Sequence, residues 1–164
     1  MCRTTNPHLS ALLDPRLVRL PHLQQDYKQL AASLGLDETP APTAATAKYV
    51  ARLHEVSEMN HALDSYRILA HHYLRYLGDL SGGQIISTLV ARHYGIPENA
   101  RTAWDFSDIG KLKKYKDQYR EWLSDAVSDL AAQDALIIEA QHGFELNREL
   151  FNSLNYGKEL IATH

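Results

Sequence analysis

The stretch Tyr76-Leu-Gly-Asp-Leu-Ser-Gly-Gly-Gln84 decides how the chain is read. It holds three glycines and an aspartate, with helix-like sequence on both sides. Leu69 to Leu80 and Ile85 to Tyr94 carry apolar residues at helical spacing. A glycine inside a helix costs about 1 kcal/mol relative to alanine. Gly78, Gly82 and Gly83 together therefore cost on the order of 3 kcal/mol if the helix runs through them. A chain that keeps them needs bare backbone there: at a kink, at a close helix crossing, or under a flat ligand.

Helical signals continue outward in both directions. The helix holding the glycines is predicted over about 63–94; Gly95 stops it and Pro97 follows. Upstream, Asp14-Pro15 reads as a helix start, and Pro21 suits the first turn of the next segment. Leu23, Tyr27, Leu30 and Leu34 then form an amphipathic pattern that Gly35 ends. Thr43 caps a second helix, whose predicted buried stripe is Tyr49, Val50, Leu53 and Val56, with a turn expected near Glu58 to Asp64. Downstream, residues 96–107 read as loop. A fourth helix, about Asp108 to Asp125, sets Lys111, Lys113, Lys114, Lys116 and Arg120 against Leu112, Tyr115, Tyr119, Trp122 and Leu123. Ser128-Asp129 caps a last helix through about Leu154, with Leu130, Ile137, Ile138, Phe144, Leu146, Leu150 and Phe151 as its apolar residues. No segment alternates with period two, and no internal repeat is present. The expectation is all-α: one domain over residues 1–164, a bundle of roughly five helices.

Composition narrows the function classes. The 164 residues carry a net charge of -3, so nothing marks a nucleic acid as partner. No apolar run approaches the roughly 18 residues that span a bilayer, and the first residues lack the pattern of a signal peptide. No membrane association is expected, and a cytoplasmic location is. Cys2 is the single cysteine, which excludes an internal disulfide and a cysteine-based zinc or iron–sulfur site.

Leu80-Ser-Gly-Gly-Gln84 by itself resembles the signature loop of ABC-transporter ATPases, but no Gly-x-x-x-x-Gly-Lys-Ser/Thr loop accompanies it. The longer string is more specific. His71-His-Tyr-Leu-Arg-Tyr-Leu-Gly-Asp-Leu-Ser-Gly-Gly-Gln84 closely resembles the distal-helix motif of haem oxygenases. Lys113-Lys-Tyr-Lys-Asp-Gln-Tyr-Arg120 resembles that family's propionate-binding helix, and Phe144-Glu-Leu-Asn147 through Phe151 its final helix. The similarity runs from about Leu12 to Leu154 in the family's order. It implies a haem-oxygenase-like multi-helix bundle with a long, glycine-kinked distal helix. It also implies the oxidative cleavage of haem to biliverdin, iron and carbon monoxide. Haem would serve as substrate and cofactor, with dioxygen and an external electron donor, a reductase or ferredoxin. A non-catalytic haem-binding or interaction module of the same fold is the alternative.

The resemblance distributes roles along the chain. Gly78, Gly82 and Gly83 let backbone approach the haem face, and a crowded ceiling steers oxygen toward one meso carbon. Asp79 orders water that delivers protons. Arg75, one turn before Asp79, orients that network; on spacing alone the two are equally an ordinary ion pair. Lys116 and Arg120 share a face and meet the haem propionates, while the neighbouring lysines read as a solvated surface. Tyr73 lies against the haem edge or in the core, which periodicity does not separate. Phe144 forms a haem wall and Asn147 a polar link to the distal network, with ordinary packing the competing reading for both.

One part of the family pattern has no counterpart in these residues. Haem oxygenases bind iron through a histidine on a first helix that also carries a propionate-binding lysine. Here Met1 stands at about the segment Leu12-Leu-Asp-Pro15, beyond both that helix and the next, so the chain reads as shortened at its N-terminus. The start is misassigned, or the iron ligand comes from elsewhere, or catalysis is lost. His8 and His22 are the histidines of the first fifty residues, and neither sits in a matching motif, so the axial ligand is unassigned. Loss of two helices also predicts exposed apolar surface and self-association.

Overall fold

The computed structural model describes residues 13–36, 41–58 and 63–161, with side chains as far as Leu154. Among these residues the regular structure is entirely helical. The helices are α1 (Leu20–Leu34), α2 (Ala44–Glu58), α3 (Asp64–His72), α4 (Gly78–Tyr94), α5 (Leu112–Ala126) and α6 (Leu130–Ile161). A π-helical turn, Tyr73–Leu77, follows α3 in the chain and precedes α4. Four short 3-10 turns complete the fold: Pro15–Leu17, Glu98–Ala100, Thr102–Trp104 and Ser107–Ile109.

Local chemistry explains where the helices begin and end. Thr43 Oγ1 accepts the backbone N–H of Thr46 at 3.1 Å, and Asp129 Oδ2 accepts that of Ala132 at 3.1 Å. Gly35 (φ 64°) and Gly95 (φ 66°) end α1 and α4 in the left-handed conformation that glycine adopts without strain. Asp14 does start a helix, but only the three-residue turn Pro15–Leu17. The helix expected from Asp108 begins at Leu112, because Ser107–Ile109 is a 3-10 turn and Gly110 (φ 78°) breaks the path. The last helix runs past Leu154 to Ile161. The long third helix is divided: the departure from α geometry is the π turn at Tyr73–Leu77, just upstream of the glycines, which stand in regular α-helix.

The chain folds as two compact units, each built from two separated stretches: Met1–Thr39 with Arg75–Ala126, and Pro40–Leu74 with Val127–His164. In the first unit, Leu17, Leu80, Phe106 and Tyr119 are core residues. Arg19 is buried there; its guanidinium donates to the carbonyls of Asp105 and Arg16, both at 2.6 Å, over the Phe106 ring. The amphipathic pattern of α1 does not form a buried stripe. Leu23, Tyr27 and Leu34 are exposed, and the buried residues are Asp26 and Ala31. Asp26 accepts from Thr102 N, Thr102 Oγ1 and Ala103 N, each at 2.8 Å. It thereby clamps the loop between α4 and α5 to α1.

In the second unit α6 packs on α3 and α2. Its buried face is Ala132, Ala135, Glu139, Gly143 and Leu146, mostly small residues at helical spacing. Leu130, Ile137, Ile138, Phe144 and Phe151 are exposed. The expected stripe of α2 also shifts: Val56 is buried, Tyr49 is half-buried, but Val50 and Leu53 are exposed. The inward position between Tyr49 and Val56 belongs to Arg52, which pairs with buried Glu139, 87 residues away in sequence. A hydrophobicity pattern cannot anticipate a charge turned inward toward so distant a partner.

Candidate functional site

The predicted site residues divide between the two units. Arg75, Gly78, Asp79, Gly82, Gly83, Lys116 and Arg120 lie in the first, and Tyr73, Phe144 and Asn147 in the second.

In the first unit, the π turn carries Arg75 and the first turn of α4 carries Asp79. Arg75 donates from Nε to Asp79 Oδ2 at 3.0 Å and from Nη2 to Oδ1 at 2.5 Å. The predicted ion pair forms, but it is asymmetric: the arginine side chain is 64% exposed and the carboxylate 10%. Asp79 is therefore a buried anion with both oxygens oriented by one guanidinium, each retaining lone-pair capacity for a further donor. Tyr76 is half-buried in the same turn, and burial pushes its hydroxyl above its usual range.

The three glycines do different things. A Cβ at Gly78 or Gly82 would meet nothing within 4 Å. These two residues, one helical turn apart, present bare backbone to open space. A Cβ at Gly83 would lie 2.9 Å from Trp104 Cδ1. Gly83 is buried and lets the Trp104 ring close on α4, a packing reason that stands beside the role implied for it. Trp104 also borders an apolar hollow of about 490 Å³, with Leu23, Tyr27, Leu30, Val90 and Tyr94 around it.

Lys116 reaches α4 directly, with Nζ 3.4 Å from Ser81 Oγ, the residue before Gly82. Arg120 is exposed and pairs with Asp117 Oδ1 at 3.0 Å. An open glycine face, a cation at its rim and a buried oriented carboxylate fit a flat ligand with anionic substituents, as haem is. No step of that fit depends on an axial ligand. Among the described residues no group of three or more His, Cys, Asp and Glu is placed to hold a metal ion. His22 is half-buried on α1, and His8 lies outside the described residues.

In the second unit Tyr73 is half-buried and Phe144 is 61% exposed. Asn147 is half-buried and does hold polar partners: Nδ2 donates to Gly143 O at 2.9 Å and to Tyr49 Oη at 3.3 Å. Tyr49 Oη lies 3.2 Å from His71 Nδ1, and His71 Nε2 lies 2.9 Å from Glu139 Oε1. Burial pushes the Glu139 carboxyl up, but hydrogen bonds from Arg52 and His71 outweigh it and hold the group below its usual range. Gly143 makes this cluster possible. A Cβ there would run into Leu74 Cδ1 and lie 3.3 Å from His71 Nδ1. Sequence reading singled out Asn147 but not Tyr49, His71, Glu139 or Gly143 as members of one network. The available signal was a charged residue and a glycine four apart on the small-residue face of α6.

Comparison with known proteins finds one family. The heme oxygenase family model matches residues 2–153. Heme oxygenase 1 of Synechocystis sp. is 33% identical over 149 residues, covering 91% of this chain and 60% of that protein. Heme oxygenase of Rhodella violacea is 36% identical over 140 residues, covering 85% and 57% respectively. Among solved structures, heme oxygenase-1 of Synechocystis sp. in complex with heme superposes with a TM-score of 0.82 at 32% identity, over 96% of this chain and 69% of that one. Heme oxygenase from Leptospira interrogans gives 0.77 at 30% identity, over 90% and 70%. The chain thus spans about three fifths of the length of the curated relatives it matches.

Proposed function

The chain belongs to the haem oxygenase family, and on that premise we propose that it binds haem and cleaves it oxidatively to biliverdin, iron and carbon monoxide. Dioxygen and electrons from a separate reductase or ferredoxin are the other inputs. Haem, when bound, supplies the iron and the porphyrin ring that is itself the substrate. The chain's own residues bind, orient and move protons around it. Gly78 and Gly82 allow close approach to a flat face, because no side chain fills the space above them. Lys116, beside Ser81, and Arg120, one turn further along α5, meet the propionates by charge-assisted hydrogen bonds. Gly83 shapes the same helix by admitting Trp104. In the second unit, the roles implied for Tyr73 and Phe144 are contact with haem, and that for Asn147 is a polar group offered to it.

The observation that carries the reading is the buried Asp79 carboxylate held on both oxygens by Arg75, beside the open glycine face. A carboxylate so fixed accepts hydrogen bonds from water at defined angles and passes protons through it, without touching iron. The test adds haemin, then a reductant under air, to the chain and to Asp79→Ala. A Soret shift should appear in both. Biliverdin absorbance should follow in the unsubstituted chain and fall by on the order of a hundredfold in the variant, the range for losing a positioned proton-transfer group. Equal turnover would remove the role given to Asp79. Haem uptake without biliverdin in either protein would make the chain a non-catalytic haem-binding module instead.

A further inference from the structure

The hydrogen bonds of the second unit run in one direction. Arg52 donates from Nε to Glu139 Oε1 at 2.9 Å and from Nη2 to Oε2 at 2.5 Å. An ionised carboxylate only accepts, so His71 Nε2, 2.9 Å from Oε1, carries a hydrogen. A neutral ring protonated at Nε2 leaves Nδ1 as an acceptor. The Tyr49 hydroxyl, 3.2 Å away, donates to it. Its oxygen then accepts from Asn147 Nδ2 at 3.3 Å, and the other Nδ2 hydrogen goes to Gly143 O at 2.9 Å. Both amide hydrogens of Asn147 are committed, and Oδ1 is what the side chain has left to offer.

We propose that Glu139 is a positioning residue: through His71 and Tyr49 it holds Asn147 with its carbonyl oxygen, rather than its amide nitrogen, turned to water or ligand. The purpose assigned to Oδ1, accepting from a ligand or from water bound with it, rests on the haem oxygenase reading; the orientation itself does not. Burial supports the relay. Glu139 is 2% exposed and His71 6%, so neither trades its partner for solvent. Other charges nearby do not supply the link: His142 Nδ1 is 3.9 Å from Glu139 Oε1, beyond hydrogen-bond reach, and Glu55 pairs with Arg52 on its exposed side. Gly143 contributes by keeping a side chain away from Nδ1 of His71.

The test uses the 15N-labelled chain at about pH 8, where an unperturbed imidazole is neutral. Long-range nitrogen–proton correlation should find His71 protonated at Nε2 and bare at Nδ1. The opposite tautomer, or an imidazolium, would overturn the relay. The Asn147 amide pair reads the far end. Its signals should move in Tyr49→Phe and also in Glu139→Gln. In the Tyr49→Phe background, Glu139→Gln should leave them where they are, since the hydroxyl that transmits the change is gone. Equal shifts in both backgrounds would mean packing alone and would overturn the proposal. Tyr49→Phe suffices if Glu139→Gln does not fold: Asn147 signals indifferent to loss of the hydroxyl rule the relay out. With haemin, Glu139→Gln should bind as the unsubstituted chain does and form biliverdin roughly tenfold more slowly, the low end for disturbing an outer hydrogen-bond partner. An unchanged rate would refute the positioning role. Absence of turnover in the unsubstituted chain would instead defeat the enzymatic reading, with the amide signals still deciding the relay.

Discussion

Asp26 shows how much one side chain decides at the residue scale. It sits among Leu23, Tyr27 and Leu30 on a helix whose apolar pattern points elsewhere, yet it is the buried member. Its carboxylate satisfies two backbone N–H groups and a hydroxyl in the loop at Thr102 and Ala103. Removing it strands donors that are buried or partly so, at about 1–3 kcal/mol for the least solvated of them. Asp26→Ala should therefore lower the urea midpoint by an amount equivalent to about 3 kcal/mol without changing the slope. A loss below about 0.5 kcal/mol, the scale of ordinary surface substitutions, would show that the loop holds without the clamp. Asp79 contrasts with it. Sequence spacing proposed its partner correctly, because Arg75 lies four residues away on the same helical face. It could not reveal that the carboxylate is buried and the guanidinium exposed, since that depends on what packs around the turn.

At the scale of elements, the glycine helix divides into two kinds of position. Alanine is favoured over glycine in a helix interior by about 1 kcal/mol. Gly78→Ala and Gly82→Ala meet open space, so each should raise stability by up to that amount. Under the proposed function each should also weaken haem uptake, because the added methyl stands where the ring lies. Gly83→Ala should do the reverse: its methyl presses on the Trp104 ring, and overpacking of about 1–3 kcal/mol outweighs the gain in helix propensity. Thermal melts and haemin titrations of the three variants check this. Stabilisation at Gly83, or unaltered haem affinity at Gly78 and Gly82, would contradict the division. The π turn ahead of these glycines lies outside what periodicity can see, since five residues are far fewer than the roughly 11–18 over which a helical period is read. The α6 face tells the same story from the other side. Its exposed phenylalanines and isoleucines dominate the sequence pattern, while two alanines, a glutamate, a glycine and Leu146 make the contact.

At the scale of the whole molecule, acid acts on several groups in one direction. Burial lowers His72 from 6.5 to about 4. The unfolded chain takes up a proton there that the folded chain refuses, so this contribution is full above pH 6.5 and is lost as pH falls to about 4. It amounts to about 3 kcal/mol, at 1.36 kcal/mol per pKa unit. Asp14 is held at about 2, chiefly by the hydrogen bond from Arg16, against the opposing effect of burial. Its contribution is present above the usual carboxylate range and is lost between pH 4 and about 2. Glu139, also held low, follows the same sign. Stability should thus decline in two stages below neutrality, and His72→Phe should flatten the first. A midpoint constant from pH 7 to 4 in the unsubstituted chain would contradict the assignment for His72. No helix among the described residues is long and apolar enough to cross a membrane.

The all-helical architecture, the caps at Thr43 and Asp129 and the stops at Gly35 and Gly95 were determined by the sequence itself. Each depends on residues within a few positions of one another, where spacing and backbone freedom suffice. The family was legible for a related reason: its motif is a contiguous string around the glycines of α4. What only the tertiary structure decided is which face of each helix turns inward and which polar atoms meet. Arg52 reaches Glu139 across 87 residues, Asp26 reaches Ala103 across 77, and His71 reaches Glu139 across 68. A buried charge is tolerable only when its partner arrives from elsewhere in the fold, and local sequence carries no record of that arrival. The glycine stretch itself belongs to both accounts: its helix was readable in advance, but only packing separates the two glycines that face open space from the one that Trp104 covers.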